Sequence, residues 1–166
     1  MPKKRLVSAN HASFDTKYVF LCGPITGRSP EEAMNWRKYV ISRLPPQIRG
    51  IDPMRDTHNG VRHCAKSSEL TVERLMHGKA VVSRDRFDVQ RSHLLLANFL
   101  GADAVSIGAV GEIFWADLMR TPVMIVREKS GNPHDHDMIN EIASWIFHDL
   151  NVAIAKIEII LAPDRR

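Results

Sequence analysis

The chain has 166 residues, enough for one domain with a sizeable core, and with 44% hydrophobic and 25% charged residues it has the balance of an ordinary globular protein. Its formal net charge of +4 leans basic, partly through Lys3, Lys4, Arg5, Arg165 and Arg166 at the ends, but no Arg/Lys stripe interleaved with aromatics appears. Nucleic acid is therefore not the expected partner, and an anionic small molecule is compatible with the charge. The sequence also offers no apolar run near the roughly 20 residues of a membrane span, no apolar segment behind its basic start, and only the isolated Cys22 and Cys64, so the expectation is a cytoplasmic protein with reduced thiols and no membrane contact.

Residues 1–17 read as a loose basic tail and 18–162 as a single domain. Tyr18–Cys22 is a short apolar strand, and Gly23-Pro24-Ile25-Thr26-Gly27 a turn. Ser29-Pro30-Glu31-Glu32 then gives the start of a helix: a Ser at the N-cap, Pro at the first position and Glu at the third. Ala33, Trp36, Val40 and Leu44 form its apolar stripe, and Pro45-Pro46 ends it. Gln47–Ile51 is a second strand, and the polar stretch Asp52–Lys79 allows a loop and a short helix. Ser83–Ser92 reads as a helix with Asp85 and Asp88 on one face, and His93–Phe99 as the third strand. After the glycine-containing loop Leu100–Gly108 comes a helix over Ile107–Leu118, with Ser106 as N-cap and Ile107, Val110, Phe114 and Leu118 as the expected core stripe. Pro122–Arg127 is the fourth strand. The loop Glu128–Asp137 leads to a helix with Met138, Ile142, Trp145 and Ile146 on one side, and a last helix spans Asn151–Leu161 after a minimal fifth strand near Phe147.

Strands alternating with helices imply an α/β domain: a three-layer, doubly wound, flavodoxin-like fold with a parallel five-stranded sheet. In that order the first and third strands are neighbours at the topological switch point, where ligands bind beyond the carboxyl ends of the strands. This would set Gly23–Gly27 and Leu100–Gly108 on the two sides of one crevice. Glu112 is the sharpest candidate within it. It stands four residues after Gly108, so the two share a helical face, and helical side chains lean toward the N-terminus. Its carboxylate would lie in the recess a glycine leaves and near the positive end of the helix dipole, as a nucleophile requires. Ser106 supplies a hydroxyl and free helix amides for an anion. Asp85 or Asp88, on one helix face, would be a second carboxylate for acid or base work if it faces the crevice. The segment Asn132-Pro133-His134-Asp135-His136-Asp137 collects metal-ligand residue types, but no third His or Cys stands at a familiar spacing, so no metal is expected and a substrate-contacting loop is the reading.

With these residues in place, the chain from about Tyr18 to Leu161 resembles the nucleoside 2-deoxyribosyltransferase family, including its relatives that hydrolyse 2'-deoxynucleoside 5'-monophosphates. Four ordered pieces carry the resemblance: Leu21-Cys-Gly-Pro-Ile-Thr-Gly27, Ser83-Arg-Asp-Arg-Phe-Asp88, Ser106-x-Gly-x-x-x-Glu112, and Ala116 with Thr121-Pro-Val-Met-Ile-Val126. The resemblance implies cleavage of an N-glycosidic bond through a covalent deoxyribosyl intermediate on Glu112, with the sugar passed to another base, or to water in a hydrolase. It implies that Asp85 holds or protonates the departing base, and that Gly23, Pro24 and Ile25 line sugar and base. Asn98, Gly108 and Ser106 join the substrate site, with Thr26, Arg28 or His136 as phosphate contacts. No cofactor is implied. Ser106 resembles the monophosphate hydrolases, whereas Pro24 resembles the transferases. The resemblance further implies a homo-oligomer in which a neighbour's 128–137 loop, with Asn132 and His136, approaches the site. A nucleotide-sensing module without turnover is the alternative from another class.

Overall fold

The structure, a computed structural model, describes residues 16–55 and 78–161. The readings made above for 1–15, for 56–77 with Cys64, and for residue 162 lie outside the described residues. In chain order the elements are β1 (Lys17–Cys22), α1 (Pro30–Arg43), β2 (Ile48–Ile51), α2 (Gly78–Gln90), β3 (Leu94–Asn98), α3 (Ile107–Leu118), β4 (Val123–Val126), α4 (Asp137–Ile142), β5 (Trp145–Phe147) and α5 (Leu150–Leu161).

The five strands form one sheet in the order β2-β1-β3-β4-β5, with every pair parallel. The three inner strands are buried apolar runs, Val19–Cys22, Leu94–Ala97 and Val123–Val126, as strands covered on both faces must be. Alternate residues go to opposite sides. Phe20, Cys22, Leu95, Ala97, Val123 and Ile125 pack with Ala109, Ile113 and Ala116 of α3 and Val89 of α2. Val19, Leu21, Leu94, Leu96, Met124 and Val126 pack with Val40 of α1 and with Ala153, Ile154 and Ile157 of α5. The result is the expected three-layer, flavodoxin-like α/β fold. The connection from β1 turns toward β2 and that from β3 toward β4, so the crevice opens at the carboxyl ends of β1 and β3.

The local signals at helix starts act as the sequence suggests. In α1 the Ser29 hydroxyl accepts from the Glu32 N–H at 3.1 Å, and the Glu32 carboxylate accepts from the Ser29 N–H at 2.8 Å. Three expectations are corrected. α4 stops at Ile142, where Ala143 turns extended, and Trp145 and Ile146 belong to β5 instead of continuing the helix. The buried face of α3 is Ala109, Glu112, Ile113 and Ala116; Ile107 and Leu118, expected in the core, are 86% and 78% exposed. On α1 the buried face is Ala33, Arg37 and Val40, with Trp36 and Leu44 only partly covered. No helix among the described residues is long and apolar enough to cross a membrane.

Candidate active site

Two loops at the switch point enclose a cavity of about 680 Å³, within the range of small-molecule sites. Loop 23–28, after β1, lines one side; residues 103–109, leading into α3, line the other; Glu112 lies against it from α3. Gly23, Pro24, Ile25, Thr26, Ser106, Gly108 and Glu112 are thus brought to one place. A Cβ at Gly108 would meet nothing within 4 Å, the open recess expected one turn before Glu112. Gly23 is required for a different reason: a Cβ there would stand 2.8 Å from the Asn98 carbonyl and 2.9 Å from the Trp36 ring. Gly27 turns the loop with a φ of 81°, a conformation that favours glycine.

Glu112 is only 9% exposed, and its position is set by the helix face that packs on the sheet. Cys22, at the end of β1, points to that same face. Its thiol donates to the Ala109 carbonyl at 3.5 Å and lies within reach of the Glu112 charge. Burial pushes the thiol's pKa well up, and the Glu112 charge pushes it further, so Cys22 acts as a neutral donor.

Arg37 lies on the other side of β1, fully buried. Its Nε donates to the Leu21 carbonyl at 3.1 Å and its Nη2 to the Gly23 carbonyl at 2.8 Å. Nη1 donates to the Ala33 carbonyl. Asp52 approaches Nε at 3.6 Å, and the guanidinium lies 4.5 Å from the Trp36 ring centroid. One cation therefore holds both carbonyls that flank Cys22. The sequence carried a signal for it, a charged residue on the stripe Ala33, Arg37, Val40.

Asp85 is buried on α2 and takes Arg84 at 3.2 Å. It does not line the cavity, yet its charge reaches the Cys22 thiol. Asp88, on the same face, pairs with Arg55 and Arg91. Asn98 lines a smaller neighbouring cavity of about 350 Å³ that shares Pro24 and Arg28 with the main one. Arg28 stands between them, bonded to the Gly101 carbonyl. Ser106 caps α3, its hydroxyl accepting from the Ala109 N–H at 3.4 Å. Asn132 and His136 do not line the cavity. Asn132 is buried and donates to the Phe99 carbonyl at 2.8 Å, and His136 caps α4 through the Met138 N–H. Among the described residues there is no group of three or more His, Cys, Asp or Glu placed to hold a metal ion.

No family model matches the chain, and no curated protein matches it at a significant level. Solved structures do. A conserved protein from Enterococcus faecalis V583 is 21% identical, with a TM-score of 0.52 over 87% of this chain and 87% of that one. A 2-deoxyribosyltransferase from Leishmania mexicana is 9% identical, with a TM-score of 0.55 over 85% of this chain and 96% of that one. A CMP N-glycosidase from Clostridium botulinum is 15% identical, with a TM-score of 0.49 over 86% of this chain and 99% of that one. At these identities the first two likenesses are likenesses of fold.

Proposed function

We propose that this protein cleaves the N-glycosidic bond of 2'-deoxyribonucleosides or their 5'-monophosphates by way of a covalent deoxyribosyl–Glu112 intermediate. The observation that carries the reading is Glu112 itself, a buried carboxylate facing a switch-point cavity between two glycine-containing loops. The fold shared with a 2-deoxyribosyltransferase supports it. In the first step a Glu112 oxygen bonds to C1' as the C1'–N bond breaks; the electron pair leaves with the base, which takes up a proton. In the second step a nitrogen of another base, or water, attacks C1', and the Glu112 carboxylate departs. Two displacements retain the configuration at C1'. The α3 face that packs on the sheet holds the carboxylate in place, and Asp85, held by Arg84, is our candidate for the group that handles the leaving base.

Transfer to a second base is the first form of the reading. Hydrolysis of a 5'-monophosphate is the second, and Ser106 favours it: its hydroxyl and the start of α3 line the cavity, where they can meet a phosphate. We further propose a homo-oligomer in the cytoplasm, with the exposed Ile107 and Leu118 on α3 as surface to cover; light scattering tests the assembly. The test of function is chemical. Deoxynucleosides and their monophosphates are incubated with the protein, with and without a second free base, and bases are separated by chromatography. Exchange of base indicates transfer, and release without exchange indicates hydrolysis. Tight binding with no turnover on any of them replaces the reading with a sensing module.

A further inference from the structure

The loop after β4 is folded against its own chain as a brace for one wall of the cavity. Three of its side chains take hold of the segment between β3 and α3. The Glu128 carboxylate accepts from the Gly101 N–H at 2.7 Å. The Asn132 amide donates to the Phe99 carbonyl at 2.8 Å and to Glu128 at 2.6 Å. His134, fully buried, accepts the Ser106 N–H on Nε2 at 2.9 Å. Its ring lies flat on Phe99, centroids 3.7 Å apart and planes 5° from parallel. Because Nε2 accepts, the ring proton sits on Nδ1, which is 3.3 Å from the Asn132 side-chain oxygen Oδ1. That oxygen also accepts the His134 N–H at 2.9 Å. The segment is thus tied at its start by Glu128 and Asn132 and at its end by His134, while Asp103, Ala104 and Val105 between them line the cavity.

We infer that His134 is a positioning residue for the substrate cavity: its neutral imidazole holds the Ser106 N–H and so fixes the Ser106–Gly108 end of α3 against which substrate must seat. The inference rests on the proposed reading of the cavity as a substrate site. Glu112 is anchored separately, by the α3 face that carries Ala109, Ile113 and Ala116 into the core. Removing the His134 acceptor therefore loosens the binding wall and leaves the nucleophile in place. The signature is a change in KM with kcat retained, which general destabilisation of the fold would not produce.

The test uses His134→Phe, which keeps a ring on Phe99 and removes the acceptor, with His134→Leu in its place should that variant not fold, and His134→Gln, which restores an acceptor oxygen. The first readout, residue-resolved amide exchange by NMR, needs no substrate. The Ser106 amide is expected to exchange about tenfold faster in His134→Phe and to regain protection in His134→Gln, as the loss and return of one hydrogen bond require. The second is kinetic, on whichever deoxynucleoside or monophosphate is turned over: KM about tenfold higher in His134→Phe, kcat within about twofold, and partial recovery in His134→Gln. An unchanged Ser106 exchange rate overturns the inference, as does faster exchange with KM unaltered. Should the wild-type protein turn over none of these substrates, the proposed function fails, and the exchange experiment still decides whether His134 holds the wall.

Discussion

Replacing Arg37 by Met tests how the loop after β1 is held. The guanidinium is fully buried and serves the carbonyls of Leu21, Gly23 and Ala33, with Asp52 3.6 Å from Nε. Met fills much of the same volume, so the cavity left behind is small and the loss is mainly polar. Removing one member of a buried ion pair costs about 3–5 kcal/mol, and a carbonyl stranded without its donor costs about 1–3 kcal/mol on its own. These overlap rather than add, so the expected loss is about 3–5 kcal/mol. At roughly 2–4 °C per kcal/mol for a domain of this size, the melting temperature falls by about 6–20 °C. Urea denaturation with an unchanged m-value gives the free energy directly. Arg37→Lys should recover only part of it, because a point charge cannot meet carbonyls fanned around a planar fork. A loss below about 1 kcal/mol, the size of an exposed pair, refutes the claim that Arg37 clamps the chain on either side of Cys22.

Three further predictions concern the cavity. Gly23→Ala drives a methyl to 2.8 Å from the Asn98 carbonyl and 2.9 Å from Trp36, so the loop must move; kcat/KM should fall at least tenfold, and activity matching wild type would show that the loop is not held where described. Ser106→Ala removes the α3 cap and is expected to cost about 1 kcal/mol in denaturation; if the monophosphate reading is right, it also weakens monophosphates more than the matching nucleosides, and equal effects on both point to nucleosides. The last is a pH effect. Burial lowers the pKa of His134, while in the unfolded chain the imidazole takes up its proton near the ordinary value of about 6.5. The unfolded state then binds more protons, so stability is full above about pH 6.5 and declines below it. Glu128, held low chiefly by the Gly101 N–H, and Asp135, held low chiefly by Asn140, extend the loss toward lower pH. Denaturation midpoints in His134→Phe should lack the first part of this decline, and an identical decline in that variant contradicts it.

Much of the fold could be read along the chain because its signals are local. The Ser29-Pro30-Glu31-Glu32 start, the apolar strand cores and the turn glycines each act over a few residues, and they give the strand order its alternation. α3 was harder: apolar residues surround it on every side, so periodicity could not choose between a stripe through Ile107 and Leu118 and one through Ala109, Ile113 and Ala116. The choice is made by the sheet beneath, and it puts Glu112 on the covered face. A strand of three residues, Trp145–Phe147, is too short to separate from a helix by pattern alone. Glu112, Ser106, Gly108 and the 23–26 loop were legible through spacing and the switch-point rule. His134 was not, because it acts on a backbone group distant in sequence, and Arg37 showed only as a charge on an apolar helix stripe, with the Leu21 and Gly23 carbonyls it holds beyond the reach of local pattern. The 128–137 loop, expected to serve a neighbour's site, has Asn132 and His134 engaged within its own chain.

The most direct test of the central claim is mass spectrometry of the protein quenched during turnover of a deoxynucleoside or its monophosphate, followed by peptide mapping. We predict a deoxyribosyl or phosphodeoxyribosyl adduct on the peptide containing Glu112, absent in Glu112→Ala together with a loss of base release by several orders of magnitude. Base release undiminished in Glu112→Ala, or an adduct mapped to another residue, would contradict the account.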